Sequence, residues 1–82
     1  MLKPTVVKLA SVYVPTKRRT TLEPRKVAEI AESILETGQK TPILVREDGA
    51  RFVLVEGLHR LEACRSLGEE TIRAFLVQAR RH

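Results

Sequence analysis

The sequence contains no tryptophan, and its only aromatic residues are Tyr13, Phe52 and Phe75. That is too few for the row of stacking rings on which single-stranded nucleic acid is usually held. It has one cysteine, Cys64, which excludes an intramolecular disulfide. With only His59 and His82 beside that cysteine, a Cys/His zinc site is excluded as well, so no metal ligands are expected from the protein. No apolar run approaches the roughly 18 residues needed to cross a bilayer, and Met1-Leu2-Lys3-Pro4-Thr5 leads into no signal-peptide apolar region. These absences predict a cytoplasmic protein in a reducing compartment, with no membrane partner.

Acidic residues are scarce at the amino-terminal end. Residues 1–26 hold seven Lys or Arg against Glu23 alone, whereas residues 27–82 hold eight against nine Asp or Glu. The formal net charge of +5 therefore sits in the first third of the chain. Such asymmetry suits an anionic partner, and solubility is the ordinary alternative. The 82 residues fit one domain, and 43% of them are apolar, enough for a small closed core.

Thr5 to Val14 is rich in β-branched residues and closes at Pro15, which predicts one strand or two short ones. Thr16-Lys17-Arg18-Arg19-Thr20-Thr21 is polar and without periodicity, and reads as a loop. Pro24 suits the first turn of a helix, and behind it Val27, Ile30, Ala31, Ile34 and Leu35 form one apolar stripe that ends at Gly38. Pro42 to Arg46 and Arg51 to Glu56 are short apolar runs on either side of Glu47-Asp48-Gly49-Ala50, a hairpin signal. Neither run alternates cleanly, so both are expected to be covered on two faces. Leu58 to Leu67 reads as a second helix with Leu61, Cys64 and Leu67 on one side and Gly68 as its stop. Thr71 to Ala79 reads as a last strand, and Arg80-Arg81-His82 as a tail. The expected fold is a small α/β (α+β) domain, a mixed sheet with two main helices.

The passage Val55-Glu56-Gly57-Leu58-His59-Arg60 runs from a strand through glycine straight into a helix. Free N–H groups and the macrodipole at a helix start favour an anion, glycine allows close backbone approach, and Arg adds a charged fork. The arrangement suits a phosphate, although strand-to-helix turns often need a glycine for their own sake. Glu56, before that glycine, is either a proton acceptor for a substrate hydroxyl or a strand-end carboxylate paired with Arg60 or water.

The helix Lys26 to Ile34, then Gly38, Pro42-Ile43-Leu44-Val45, Gly57-Leu58-His59-Arg60-Leu61-Glu62-Ala63, Leu67-Gly68 and Glu70-Thr71-Ile72 form an ordered series. This series resembles the ParB/sulfiredoxin superfamily over most of the chain. The resemblance implies a nucleotide site at the helix start, with a triphosphate (ATP or CTP) bringing Mg²⁺. His59 and Arg60 would contact phosphates, with Gly57 and Leu58 beside them. Lys26 matches the lysine of the first sulfiredoxin helix, and Ser33 takes the place of a hydroxyl residue farther along. Glu29 stands where sulfiredoxin has a serine, and at this spacing it is expected to neutralise Lys26. Lys17, Arg18, Arg19 and Arg25 are candidate contacts to phosphate or nucleic acid.

Sulfiredoxin also needs a nucleophilic cysteine directly before the His-Arg pair. Here that residue is Leu58, so sulfinic acid reduction is not expected. Cys64 reads as a core residue. ParB proteins continue into a helix-turn-helix and a dimerisation region, so site-specific DNA recognition is not expected of these 82 residues. The leading expectation is a stand-alone ParB-like nucleotide-binding module, accessory to plasmid or chromosome partition or to DNA-associated regulation, with a partition or regulatory protein as partner. The alternatives are an ATP-dependent small-molecule kinase similar to free serine kinases, with Glu56 as base, and a sequence-independent DNA-binding protein.

Overall fold

The computed structural model describes residues 3–38 and 41–77. The expected end of the last strand at Ala79 and the tail Arg80-Arg81-His82 lie outside them. Strands β1 (Thr5–Lys8) and β2 (Val12–Tyr13) are separated by a single 3₁₀ turn, Leu9–Ser11. They are followed by helices α1 (Thr16–Arg19) and α2 (Pro24–Thr37), strands β3 (Ile43–Asp48) and β4 (Arg51–Glu56), helix α3 (Leu58–Ser66) and strand β5 (Thr71–Val77). The sheet order is β1-β5-β3-β4-β2. The β3–β4 and β1–β5 pairs are antiparallel, and the β3–β5 and β2–β4 pairs are parallel. The mixed sheet follows from the connections: a tight turn joins β3 to β4, while α3 carries the chain over to β5 on the far side of β3.

The two main helices start and stop where local chemistry dictates. Pro24 opens α2 in its first turn, and Gly38 closes it at φ 80°, its N–H donating to the Ile34 carbonyl at 2.7 Å. The segment Thr16–Arg19, expected to be a loop, is a single helical turn, closed by the Thr20 hydroxyl donating to the Lys17 carbonyl at 2.8 Å. One turn is too short to show a 3.6-residue period, which is why its sequence reads as irregular.

The core lies on one face of the sheet. Ile43 and Val45 of β3, Leu54 of β4, Ile72 and Ala74 of β5 and Val7 of β1 meet Leu58, Leu61 and Cys64 of α3, while α2 packs outside α3 and reaches the core through Ile34. The expectation that β3 and β4 are covered on both faces is corrected for β3, while in β4 Val53 and Leu54, on opposite faces, are both buried. The strand registers put Arg46 opposite Val53 and Leu44 beside Phe75 on the other face, where Leu44, Arg46 and Phe75 are only half-buried. Strand β3 alternates by burial, apolar Leu44 on the open side hiding the alternation in the sequence, whereas β4 does not alternate. Leu35, expected on the packed stripe of α2, is 73% exposed. At about 100° per residue it lies about 80° round from Val27, at the rim of the stripe and beyond the reach of α3. Among the described residues no helix is long and apolar enough to cross a membrane.

Candidate functional site

The chain passes from β4 to α3 through Gly57, at φ 111° and ψ 32°. A Cβ at this position would stand 2.6 Å from Ile43 Cγ2, 3.0 Å from its Cβ and 3.3 Å from its Cα. The glycine is therefore demanded by the adjacent strand, which lies too close for any side chain, as well as by the left-handed backbone. Its Cα hydrogen faces Ile43 where a larger residue would have its side chain, so the sequence-based reason for this glycine, access for a phosphate, is joined by a packing reason. No side chain caps α3 and its first turn contains no acidic residue, so the positive end of the helix dipole is not offset within the helix.

A cleft of about 380 Å³ opens at this junction, lined by Gly57, Arg60 and Glu56 together with Thr41, Pro42, Leu44 and Phe75. Arg60 and Glu56 face the same space, and no ion pair within 4 Å joins them among the described residues. The open face of the sheet supplies the apolar wall, Leu44 and Phe75 being neighbours in the parallel β3–β5 register. Sequence reasoning did not assign Thr41, Pro42, Leu44 or Phe75 to the site. The signal for Pro42 and Leu44 was present in the Pro-Ile-x-Val series, but which face Leu44 takes depends on register. A larger cleft of about 500 Å³ lies between the 3₁₀ turn and the end of α3, where Glu69 and Glu70 stand with Lys8 and Arg65. There Lys8 and Arg65 balance the two carboxylates, and the cleft lies at the far end of α3 from the free N–H groups of its first turn.

The other expected site residues are dispersed. Leu58 is 6% exposed with its side chain in the core and does not line the cleft at the helix start. His59 does not line the cleft; its Nε2 accepts a hydrogen bond from the Glu23 backbone N–H at 3.0 Å. Lys26 pairs with Glu23, Nζ to Oε2 3.2 Å, and not with Glu29 as expected. Both glutamates lie three residues away, so spacing alone does not choose, and both partners of the observed pair are well exposed. Ser33 is exposed on α2, where its carbonyl accepts the Thr37 hydroxyl at 2.8 Å. Lys17, Arg19 and Arg25 are exposed on α1 and the start of α2, Arg19 beside a third cleft with Tyr13, Leu58 and Arg65; Arg18 belongs to the same turn. Among the described residues no group of three His, Cys, Asp or Glu side chains could hold a metal ion.

Cys64 is 2% exposed, and burial pushes its thiol above the ordinary value; Glu69 adds to the rise and Arg60 opposes it. Since the thiolate is the reactive form, Cys64 is expected to react with a thiol reagent at neutral pH far more slowly in the folded protein than in urea. The sign for stability follows: a thiol raised in the folded state contributes stability that is complete below its unfolded value and is lost as pH climbs through the folded one. Equal rates in native and denatured protein, followed with a chromogenic disulfide, would show that the thiol is accessible.

Comparison with known proteins matches most of the chain. The model of the ParB N-terminal domain family matches residues 4–82. A probable chromosome-partitioning protein ParB from Campylobacter jejuni is 36% identical over 63 residues, which are 77% of this chain and only 23% of that protein. Among solved structures, sulfiredoxin from Arabidopsis thaliana is 30% identical with a TM-score of 0.81, covering 96% of this chain and 86% of the other. A C-terminally truncated ParB from Caulobacter crescentus, complexed with CTP-gamma-S, is 22% identical with a TM-score of 0.81, covering 95% of this chain and 46% of the other. That last likeness is one of fold.

Proposed function

The chain belongs to the ParB N-terminal domain family, and from that premise we propose that it is a ParB-like module that binds a nucleoside triphosphate, ATP or CTP, with its Mg²⁺. The observation that carries this reading is that Gly57 and Arg60, at an uncapped helix start, line one cleft with Phe75 and Leu44. The first-turn amides and the Arg60 guanidinium provide donors for phosphate oxygens, and the apolar wall offers a surface to a base. The CTP-gamma-S complex of the Caulobacter crescentus ParB supports the ligand class. Mg²⁺ would arrive with the triphosphate and offset its charge, and it would be held through phosphate oxygens and water.

Titration calorimetry of ATP and CTP, with and without Mg²⁺, tests the reading. A hydrogen bond to a charged group contributes about 1.5–3 kcal/mol, so Arg60→Ala is expected to weaken the bound nucleotide about tenfold or more. Unchanged affinity in that variant would place the site elsewhere.

Glu56 in the same cleft favours one second reading, phosphoryl transfer from ATP to a small hydroxylated substrate with Glu56 accepting the hydroxyl proton. Incubation with Mg-ATP and small hydroxylated acceptors separates it from binding alone, a phosphorylated acceptor formed beside ADP marking transfer and ADP with free phosphate marking only hydrolysis. Sulfinic acid reduction is not proposed, because Leu58, packed in the core, stands where a nucleophile would be needed. Lys17, Arg19 and Arg25 give the module an exposed basic side suited to salt-sensitive contact with DNA phosphates, and an accessory role in partition or DNA-associated regulation, with a regulatory protein as partner, rests on that side.

A further inference from the structure

The start of α2 lacks its usual internal support. The backbone N–H of a helix N-cap is often satisfied by Glu or Gln at the third helical position reaching back. In α2 the N-cap is Glu23 and the third residue, after Pro24 and Arg25, is Lys26, which has donors and no acceptor. The Glu23 carboxylate makes no capping bond either, and instead lies 3.2 Å from Lys26 Nζ. The acceptor comes from another helix: His59, in the first turn of α3, takes the Glu23 N–H on Nε2 at 3.0 Å, although the two residues are 36 apart in the chain. An Nε2 that accepts carries no proton, which places the ring proton on Nδ1.

We propose that His59 is a positioning residue that holds the amino-terminal end of α2, with its Glu23–Lys26 pair, against the start of α3, and that phosphate contact falls to Arg60 and the first-turn amides. The phosphate half of this inference rests on the nucleotide reading above; the positioning half does not. Two observations favour it over a direct phosphate contact. Nε2 is occupied by the Glu23 amide, which fixes the ring on α2, and His59 is absent from the cleft that Gly57, Glu56 and Arg60 share. Successive helical residues point about 100° apart, so His59 and Arg60 serve different neighbours. A residue at the α3 start thereby ties the basic α1–α2 segment to the cleft.

The experiment compares His59→Gln, His59→Asn, His59→Ala and Arg60→Ala in the full chain, reading the hydrogen-exchange rate of the Glu23 amide by NMR and the affinity for Mg-ATP and Mg-CTP by calorimetry. Gln can place its carboxamide oxygen near the position of Nε2; Asn is too short. Loss of one hydrogen bond should raise Glu23 exchange about three- to tenfold in the Ala and Asn variants, with Gln near the parent. Nucleotide affinity should follow the same order and fall less in any His59 variant than in Arg60→Ala. Glu23 exchange in His59→Ala equal to the parent's would overturn the positioning role. A His59→Gln protein with Glu23 still protected and affinity lost as fully as in Arg60→Ala would make His59 a phosphate ligand. If the parent binds neither nucleotide, the nucleotide reading fails by itself, and Glu23 exchange still decides the positioning half.

Discussion

Replacement of Gly57 by alanine is expected to lower the stability of the domain by about 2–5 kcal/mol, the sum of about 1–2 kcal/mol for an L-residue in left-handed backbone and about 1–3 kcal/mol for overpacking. The backbone at φ 111° is outside what a side chain readily adopts, and the new methyl would stand 2.6 Å from Ile43 Cγ2. Ile43 has nowhere to go. It is 1% exposed on an inner strand with β4 on one side and β5 on the other, and its backbone Cα is itself only 3.3 Å from the added carbon. Gly49 provides the control, since it also has positive φ, at 65°, but a Cβ there meets nothing within 4 Å. Gly49→Ala should therefore show the backbone cost alone. Urea unfolding of both variants reads the difference as a shift in midpoint at constant slope, and equal shifts would mean that the β3–β4–α3 junction yields to the extra methyl. Because the same junction forms the cleft, any Gly57→Ala protein that still folds should also bind nucleotide less tightly.

Leu61→Ala should cost about 2–5 kcal/mol, the range for removing a large aliphatic side chain from a core that cannot close around the gap. Leu61 is 0% exposed in α3 and belongs to the cluster that includes Ile43, Val45 and Leu54. A domain of this length is expected to be held by only about 0.05–0.15 kcal/mol per residue, so this one substitution removes a large part of its stability. Leu35→Ala is the companion measurement. Leu35 is 73% exposed on α2, and surface changes of this kind usually stay within about 0.5 kcal/mol. Thermal melts of the pair test the assignment of the core to one face. A Leu61→Ala cost below about 1 kcal/mol, or a Leu35→Ala cost as large as that of Leu61→Ala, would contradict it.

Features governed by neighbours along the chain were legible in the sequence. Pro24 and Gly38 mark the ends of α2 because capping is settled within one turn of each end. Asp48-Gly49 marks the β3–β4 turn because a positive φ is needed there, although the turn proved tighter than four residues, with Asp48 and Arg51 already paired as strand residues. Their side chains close the turn, Arg51 Nη2 lying 3.2 Å from Asp48 Oδ2. Cys64, spaced three residues from Leu61 and from Leu67, was legible as a core residue because a helical period implies a face. The glycine-led start of α3 was legible too, since Gly57 and Arg60 are close in sequence and their relation is fixed by the first turn of that helix.

Tertiary structure decided what depends on segments brought together from a distance. Leu35 drops out of the packed stripe because the width of the stripe is set by how much of α2 the neighbouring helix covers. Leu44 and Phe75 come to the cleft through the parallel register of β3 and β5, and a register is a relation between strands that neither strand contains. Gly57 needs to be glycine partly because Ile43, fourteen positions earlier, passes close by. The sequence by itself determined the two long helices, the strands of the hairpin, the ends of α2, the apolar side of α3 and the glycine turn before it, all of which are settled by interactions within a few residues. The open sheet face, the walls of the cleft and the bond from Glu23 to His59 came only with the fold, because each is a short contact between residues that the chain itself keeps far apart.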